Sequence, residues 1–121
     1  MKIDDAVTHL KAKAHDSSKG ECAKYVKEAV HAGGVNLIGA NAKDLGPNLE
    51  AVGFVPVASK ATFDTFTPSK GDVVVFDAVT GHKNGHAAMY DGTHWVSDYH
   101  QPHFLANQED YKDGTFTVYR P

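Results

Sequence analysis

The apolar residues of this chain change their period near Phe54, and that change restricts the fold more than any other feature. Before it the spacing is helical. From Asp4 to about His15, Val7, Leu10 and Ala14 share one helix face, and acidic residues open the run. From Glu21 to Ala32, a single apolar stripe joins Cys22, Tyr25, Val26, Ala29 and Val30. Ser17, Ser18 and Gly20 are available as an N-cap, and Gly33-Gly34 is the stop. A third helical stretch, Ala42 to Val52, is interrupted by Gly46-Pro47 and reads as two short helices. After it, Phe54-Val55-Pro56-Val57 is extended, and its proline confines it to an edge strand or a connector. Short β-branched and aromatic runs then take over: Asp72 to Phe76, His86 to Tyr90, His94 to Asp98 and Thr115 to Tyr119. The polar segment Gln101 to Gly114 reads as one long loop. The expectation is an α+β fold, with N-terminal helices packed on a small antiparallel sheet. The 121 residues suffice for one domain, 1–121, with a core of its own.

Composition narrows the function classes. A net charge of −3 provides no broad basic surface of the kind nucleic acid requires. No apolar run approaches the ~20 residues of a membrane span, and Met1-Lys2-Ile3-Asp4-Asp5 lacks the apolar core of a signal peptide. Synthesis in the cytoplasm without a signal peptide is the expectation. The single cysteine cannot form an internal disulfide, so no oxidising compartment is implied, while export by another route stays open.

That cysteine, Cys22, falls in the first turn of the second helix. There the macrodipole and unpaired backbone N–H groups favour thiolate over thiol. With histidines elsewhere in the chain, Cys22 is a candidate nucleophile awaiting a base; the alternative is a small buried hydrophobe. Tyr25, one turn on, either packs or brings its hydroxyl to the site as a substrate-binding residue.

The base is sought in the second half. Asp91-Gly92 lies between two strand-like runs and marks a hairpin. A three-residue loop, Asp91 to Thr93, pairs Tyr90 with His94 and sets His86 opposite Asp98, on one face of the sheet. A carboxylate beside an imidazole orients one ring nitrogen and leaves the other for a thiol. A two-residue loop would put Ser97 there instead.

Together these residues carry a family resemblance. Gly20, Cys22, Tyr25 and Val26, then Gly71-Asp72-Val73-Val74-Val75-Phe76, then Gly85-His86-Ala87-Ala88-Met89-Tyr90 followed by Trp95-Val96-Ser97-Asp98, resemble the CHAP and NlpC-type cysteine peptidases and amidases. The resemblance runs from roughly Gly20 to Gln101. It implies a papain-like domain that cuts an amide of the peptidoglycan stem peptide without metal or organic cofactor. It implies Cys22 as nucleophile, His86 as general base, and Asp98 as the ring-orienting third residue, with His100 and Ser97 as alternatives. Lacking a wall-binding repeat, the chain is similar to the compact amidase toxins injected by type VI secretion systems, or to a minimal phage or bacteriocin lysin. That implies action in the periplasm or cell wall of a target bacterium after non-classical export, and an immunity protein in the producing cell.

Two other classes stay open. His82, His86, His94, His100 and His103 could serve a zinc-binding module. However, His82 sits in the Gly81 to Gly85 loop, and no Cys-x-x-Cys or His-Glu-x-x-His accompanies the set. A catalytically inactive papain-like binding domain would keep the scaffold without turnover. His9, His15 and His31, on the helices, are expected at the surface.

Overall fold

The computed structural model describes residues 1–105 and 111–121. Among these residues five strands, β1 (Val55–Ser59), β2 (Val73–Phe76), β3 (His86–Tyr90), β4 (Trp95–Val96) and β5 (Phe116–Arg120), form one sheet in the order β1-β5-β2-β3-β4. Every pairing is antiparallel. Among the described residues the helices α1 (Ile3–Lys13), α2 (Cys22–Ala32) and α3 (Leu45–Ala51) accompany it. The mixed layout of helices and antiparallel sheet is the one the change of period implies.

Strand alternation divides the core in two. Val73, Val75, Ala87 and Met89 face the helices and meet Val7, Leu10, Val26, Ala29 and Val30. The intervening Val74, Phe76 and Ala88 face the other way, against Trp95, Tyr111, Phe116 and Val118. β2 and β3 are therefore buried on both faces. A layer of rings closes the second face: Phe63 stacks on Phe104 with centroids 4.4 Å apart and meets Phe116 edge-on at 5.2 Å. Phe63 stands on a 3₁₀ turn, Lys60–Thr65, opened by a Ser59/Thr62 capping box. The sequence pattern did not reveal this layer, because its rings come from irregular segments with no period. Of the expected loop 101–114, residues 106–110 lie outside the described residues.

Several boundaries differ from expectation for local reasons. α1 ends at Lys13, since Ala14 is extended (ψ 145°), and His15 leaves the helix to pair with Tyr99. The residues expected to cap α2 do not; Glu21 is the N-cap residue and makes no side-chain cap. Gly46-Pro47 does not split the third helical stretch. The split falls earlier, between a 3₁₀ turn Ala42–Asp44 and α3, and Pro47 sits in the first turn of α3, where its missing N–H costs nothing. Gly46 is needed because any Cβ there would collide with the Tyr119 hydroxyl. Pro56 lies on the edge strand β1, as its lack of a donor requires.

The hairpin register is the main correction. Tyr90 pairs with Trp95 and Met89 with Val96, so the loop has one residue more than expected. The Asp91 carboxylate causes this: its Oδ1 accepts the N–H groups of Thr93 (2.8 Å) and His94 (2.6 Å), while the Asp91 N–H donates to the His94 carbonyl (2.9 Å). β4 then stops at Val96. The chain folds back, with the Ser97 N–H donating to the Tyr99 carbonyl (3.0 Å) and the Gln101 N–H to the Trp95 carbonyl (3.3 Å). No ladder carries Asp98 opposite His86. Among the described residues, no helix is long and apolar enough to cross a membrane.

Candidate active site

Cys22 is the first residue of α2, and His86 is the first residue of β3. The helix packs against that strand, so the two residues meet at its end and line one open cleft of about 630 Å³. Asp98, Tyr99 and Tyr111 join the lining, as do three segments: the entry to α2 from Ser18, the turn at Ala40 to Ala42, and the loop Gly81 to Gly85. The latter two are tied together, since the Lys43 N–H donates to the Asn84 carbonyl at 2.9 Å. Gly85, immediately before His86, adopts φ +71°, and a Cβ there would collide with the Phe76 carbonyl oxygen. Only glycine lets the loop turn sharply enough to deliver His86 into the strand.

His86 is 7% exposed, and its Nε2 lies 2.6 Å from Gln101 Oε1. Gln101 is itself buried, and its amide nitrogen donates to the carbonyls of His103 and Phe104, each at 3.2 Å. Two carbonyl acceptors around the nitrogen fix which end of the amide faces the ring. Oε1 must therefore accept, so His86 Nε2 carries the hydrogen and Nδ1 holds the free lone pair. The residue orienting the ring is Gln101, which sequence reasoning missed. It lies in a segment without period, and only the fold-back after Val96 brings it to the ring.

Asp98, expected in that role, lines the same cleft but bonds elsewhere. It is fully buried, and one carboxylate oxygen accepts the backbone N–H groups of Lys19 (2.7 Å) and Glu21 (2.9 Å). Its second oxygen accepts the Ser97 hydroxyl at 3.2 Å. The alternatives Ser97 and His100 do not reach the ring either; Ser97 bonds Asp98, and the His100 N–H donates to the His15 carbonyl at 3.0 Å. Tyr25 lies outside the cleft lining, and its hydroxyl is 2.8 Å from His15 Nε2. Of the histidines weighed for zinc, His82 and His86 line the cleft, and among the described residues no three His, Cys, Asp or Glu are placed to hold a metal ion.

The electrostatics of the pair also depart from expectation. Burial pushes the Cys22 thiol above its ordinary value, against the N–H groups of Ala87, Ala23 and Cys22 itself, which favour thiolate; the Asp98 charge adds to the rise. The helix terminus helps the thiolate, as the sequence suggested, but desolvation outweighs it. Burial likewise holds the His86 imidazole below its ordinary value, against the Gln101 hydrogen bond and the Asp98 charge, with His82 adding to the fall. At neutral pH both shifts favour thiol beside neutral imidazole. The arrangement suits proton transfer to Nδ1 as an electrophile is attacked, rather than a standing ion pair.

No family model and no curated protein matches the chain. Two solved structures do, over nearly the full length of both partners in the comparison. The type VI native effector–immunity complex Tae3–Tai3 from Ralstonia pickettii matches at 36% identity with a TM-score of 0.89, covering 99% of this chain and 98% of that one. The selenomethionine form of the same complex matches at 36% identity with a TM-score of 0.86, covering 96% and 99%. With that identity sustained from end to end, the chain belongs to the Tae3 family of type VI effectors.

Proposed function

We propose that this chain is a peptidoglycan amidase or endopeptidase that cuts an amide of the stem peptide through Cys22 and His86, and that it serves as an antibacterial effector of a type VI secretion system. The observation that carries the proposal is the shared cleft. A helix-borne thiol and a strand-borne imidazole open into it, and a buried amide fixes the ring tautomer. That pattern, helix, strand and side-chain amide, is what a papain-like thiol hydrolase of the CHAP/NlpC type needs.

The chemistry follows from the tautomer. As Sγ bonds to the amide carbon, its proton passes to His86 Nδ1, and the carbonyl π pair moves onto oxygen. The Cys22 N–H at the helix start is one donor for that oxyanion. Collapse breaks the C–N bond, and the leaving nitrogen takes the proton from Nδ1. Water then attacks the thioester while giving a proton to Nδ1, and cleavage of the C–S bond returns the thiol. Gln101 stays bonded to Nε2–H throughout and is the third member of the constellation. No step calls for a metal or organic cofactor.

The solved relatives are effector–immunity complexes. A protective partner that covers the cleft between Cys22 and His86 is accordingly part of the proposal, as is action in the periplasm of a target cell. Address-dependent toxicity tests it. Directed to the periplasm of a host bacterium, the chain should lyse the cell; held in the cytoplasm, or carrying Cys22→Ala, it should not. Equal toxicity in both compartments would remove the cell wall as target.

A further inference from the structure

Asp98 is a buried carboxylate in the wall of the cleft, and it bonds the chain entering α2 and Ser97 rather than the residue it was expected to orient. Lys19 and Glu21 donate their backbone N–H groups to a single oxygen, at 2.7 and 2.9 Å, from a segment 77 to 79 residues away in sequence. Glu21 directly precedes Cys22 and makes no side-chain cap of its own, so α2 takes its anchoring acceptor from the far side of the chain. The same turn is tied to the end of α1, because the His15 N–H donates to the Asp98 carbonyl at 2.9 Å.

We infer that Asp98 is a positioning residue of the nucleophile: its carboxylate latches the chain entering α2, and its buried charge acts on proton transfer between Cys22 and His86. The inference rests on the proposed thiol chemistry only through the roles of those two residues. Two backbone N–H groups donating to one carboxylate oxygen, charge-assisted by the acceptor, fix the backbone one residue before Cys22, and a misplacement of ~1 Å there costs about 10²-fold in rate. The charge has a definite direction. It raises the proton affinity of Cys22, of His86 and of Tyr99, the titratable groups it faces from α2, from β3 and from its own turn. His82, on the loop before β3, opposes it at His86. The negative charge thus favours imidazolium once the sulfur has passed its own charge to the carbonyl oxygen.

Asp98→Asn separates charge from geometry. Its amide oxygen can replace the oxygen bonded to Lys19 and Glu21, and its amide nitrogen can donate to the Ser97 hydroxyl. Asp98→Ala removes both. The readouts are thermal unfolding and the pH dependence of Cys22 alkylation by iodoacetamide, which requires no substrate. Asp98→Asn should unfold within a few degrees of wild type, with the alkylation midpoint moved measurably to lower pH. Where hydrolysis is measured, the acid limb should move to lower pH as well. Asp98→Ala should lose Tm and at least about tenfold in turnover. An unmoved alkylation midpoint in Asp98→Asn would overturn the charge effect, and wild-type Tm and turnover in Asp98→Ala would overturn the latch. A shifted midpoint in a protein that leaves peptidoglycan intact would support this inference and refute the proposed substrate.

Discussion

Replacing Gln101 with leucine tests the site where structure and sequence expectation part. The substitution keeps the side-chain size and removes the acceptor at 2.6 Å from His86 Nε2, together with both donors to the His103 and Phe104 carbonyls. His86 is too buried for water to replace the lost partner, so a stranded ring N–H costs about 1–3 kcal/mol. In the transition state the ring is positive and the bond is charge-assisted, worth about 1.5–3 kcal/mol. The free enzyme loses the same bond, so only the excess of the charge-assisted bond over the neutral one, about 1–1.5 kcal/mol, counts against kcat/KM; at 1.36 kcal/mol per decade that is a fall of roughly 5- to 13-fold, with a further loss where Nδ1 turns from the cleft. The sign of the pH effect is fixed too. In the proposed mechanism neutral imidazole is the base, so activity is lost as pH falls through the His86 value. The Gln101 bond raises that value against the dominant effect of burial, and removing it should move the acid limb to still lower pH. The assay is kcat/KM against pH on a soluble stem-peptide fragment, with Gln101→Asn as a partial rescue. Activity within twofold of wild type, with an unmoved acid limb, would refute the assignment of Gln101.

Other consequences are independent of that residue. Because burial lifts the Cys22 thiol, iodoacetamide should alkylate the resting protein at neutral pH more slowly than it alkylates free cysteine, a rate read directly by mass spectrometry; faster alkylation would mean that the helix terminus wins over desolvation. Gly85→Ala sets a Cβ against the Phe76 carbonyl at φ +71° and should cost about 2 kcal/mol or more of stability by denaturant unfolding, with turnover falling further because His86 is the next residue. Arg120 donates twice to the fully buried Asp72 carboxylate, at 2.9 Å each. Arg120→Ala strands that charge and, discounted for the partial exposure of Arg120, should cost about 2 kcal/mol, a fall in Tm of roughly 5–10 °C by calorimetry.

Legibility in the sequence tracked periodicity. Residues with a period, such as Val26, Ala29 and Val30 on α2 or Val73 and Val75 on β2, placed two helices and the central strands to within two residues. Cys22 and His86 stood out because each sits at the end of a periodic element, within two residues of a glycine that punctuates it, Gly20 and Gly85. What the sequence hid lies in segments where side chains, not periods, decide the path. The Asp91 side chain lengthened a hairpin by one residue, and that residue removed Asp98 from the ladder. Gln101 and Phe104 follow that same fold-back, and Phe63 stands on the Lys60–Thr65 turn, irregular chain that no spacing rule addresses. The raised Cys22 thiol was hidden for another reason. The dipole is legible from a helix start, whereas desolvation depends on everything packed above it.

The central claim, amide hydrolysis of the stem peptide by Cys22, is tested most directly by digesting purified peptidoglycan and determining the fragments by mass spectrometry. Wild type should release fragments carrying one new amine and one new carboxylate at a single stem-peptide amide, with the glycan bonds intact, and Cys22→Ala and His86→Ala should release none. The same fragments from Cys22→Ala, or cleavage at glycosidic bonds alone, would contradict the account.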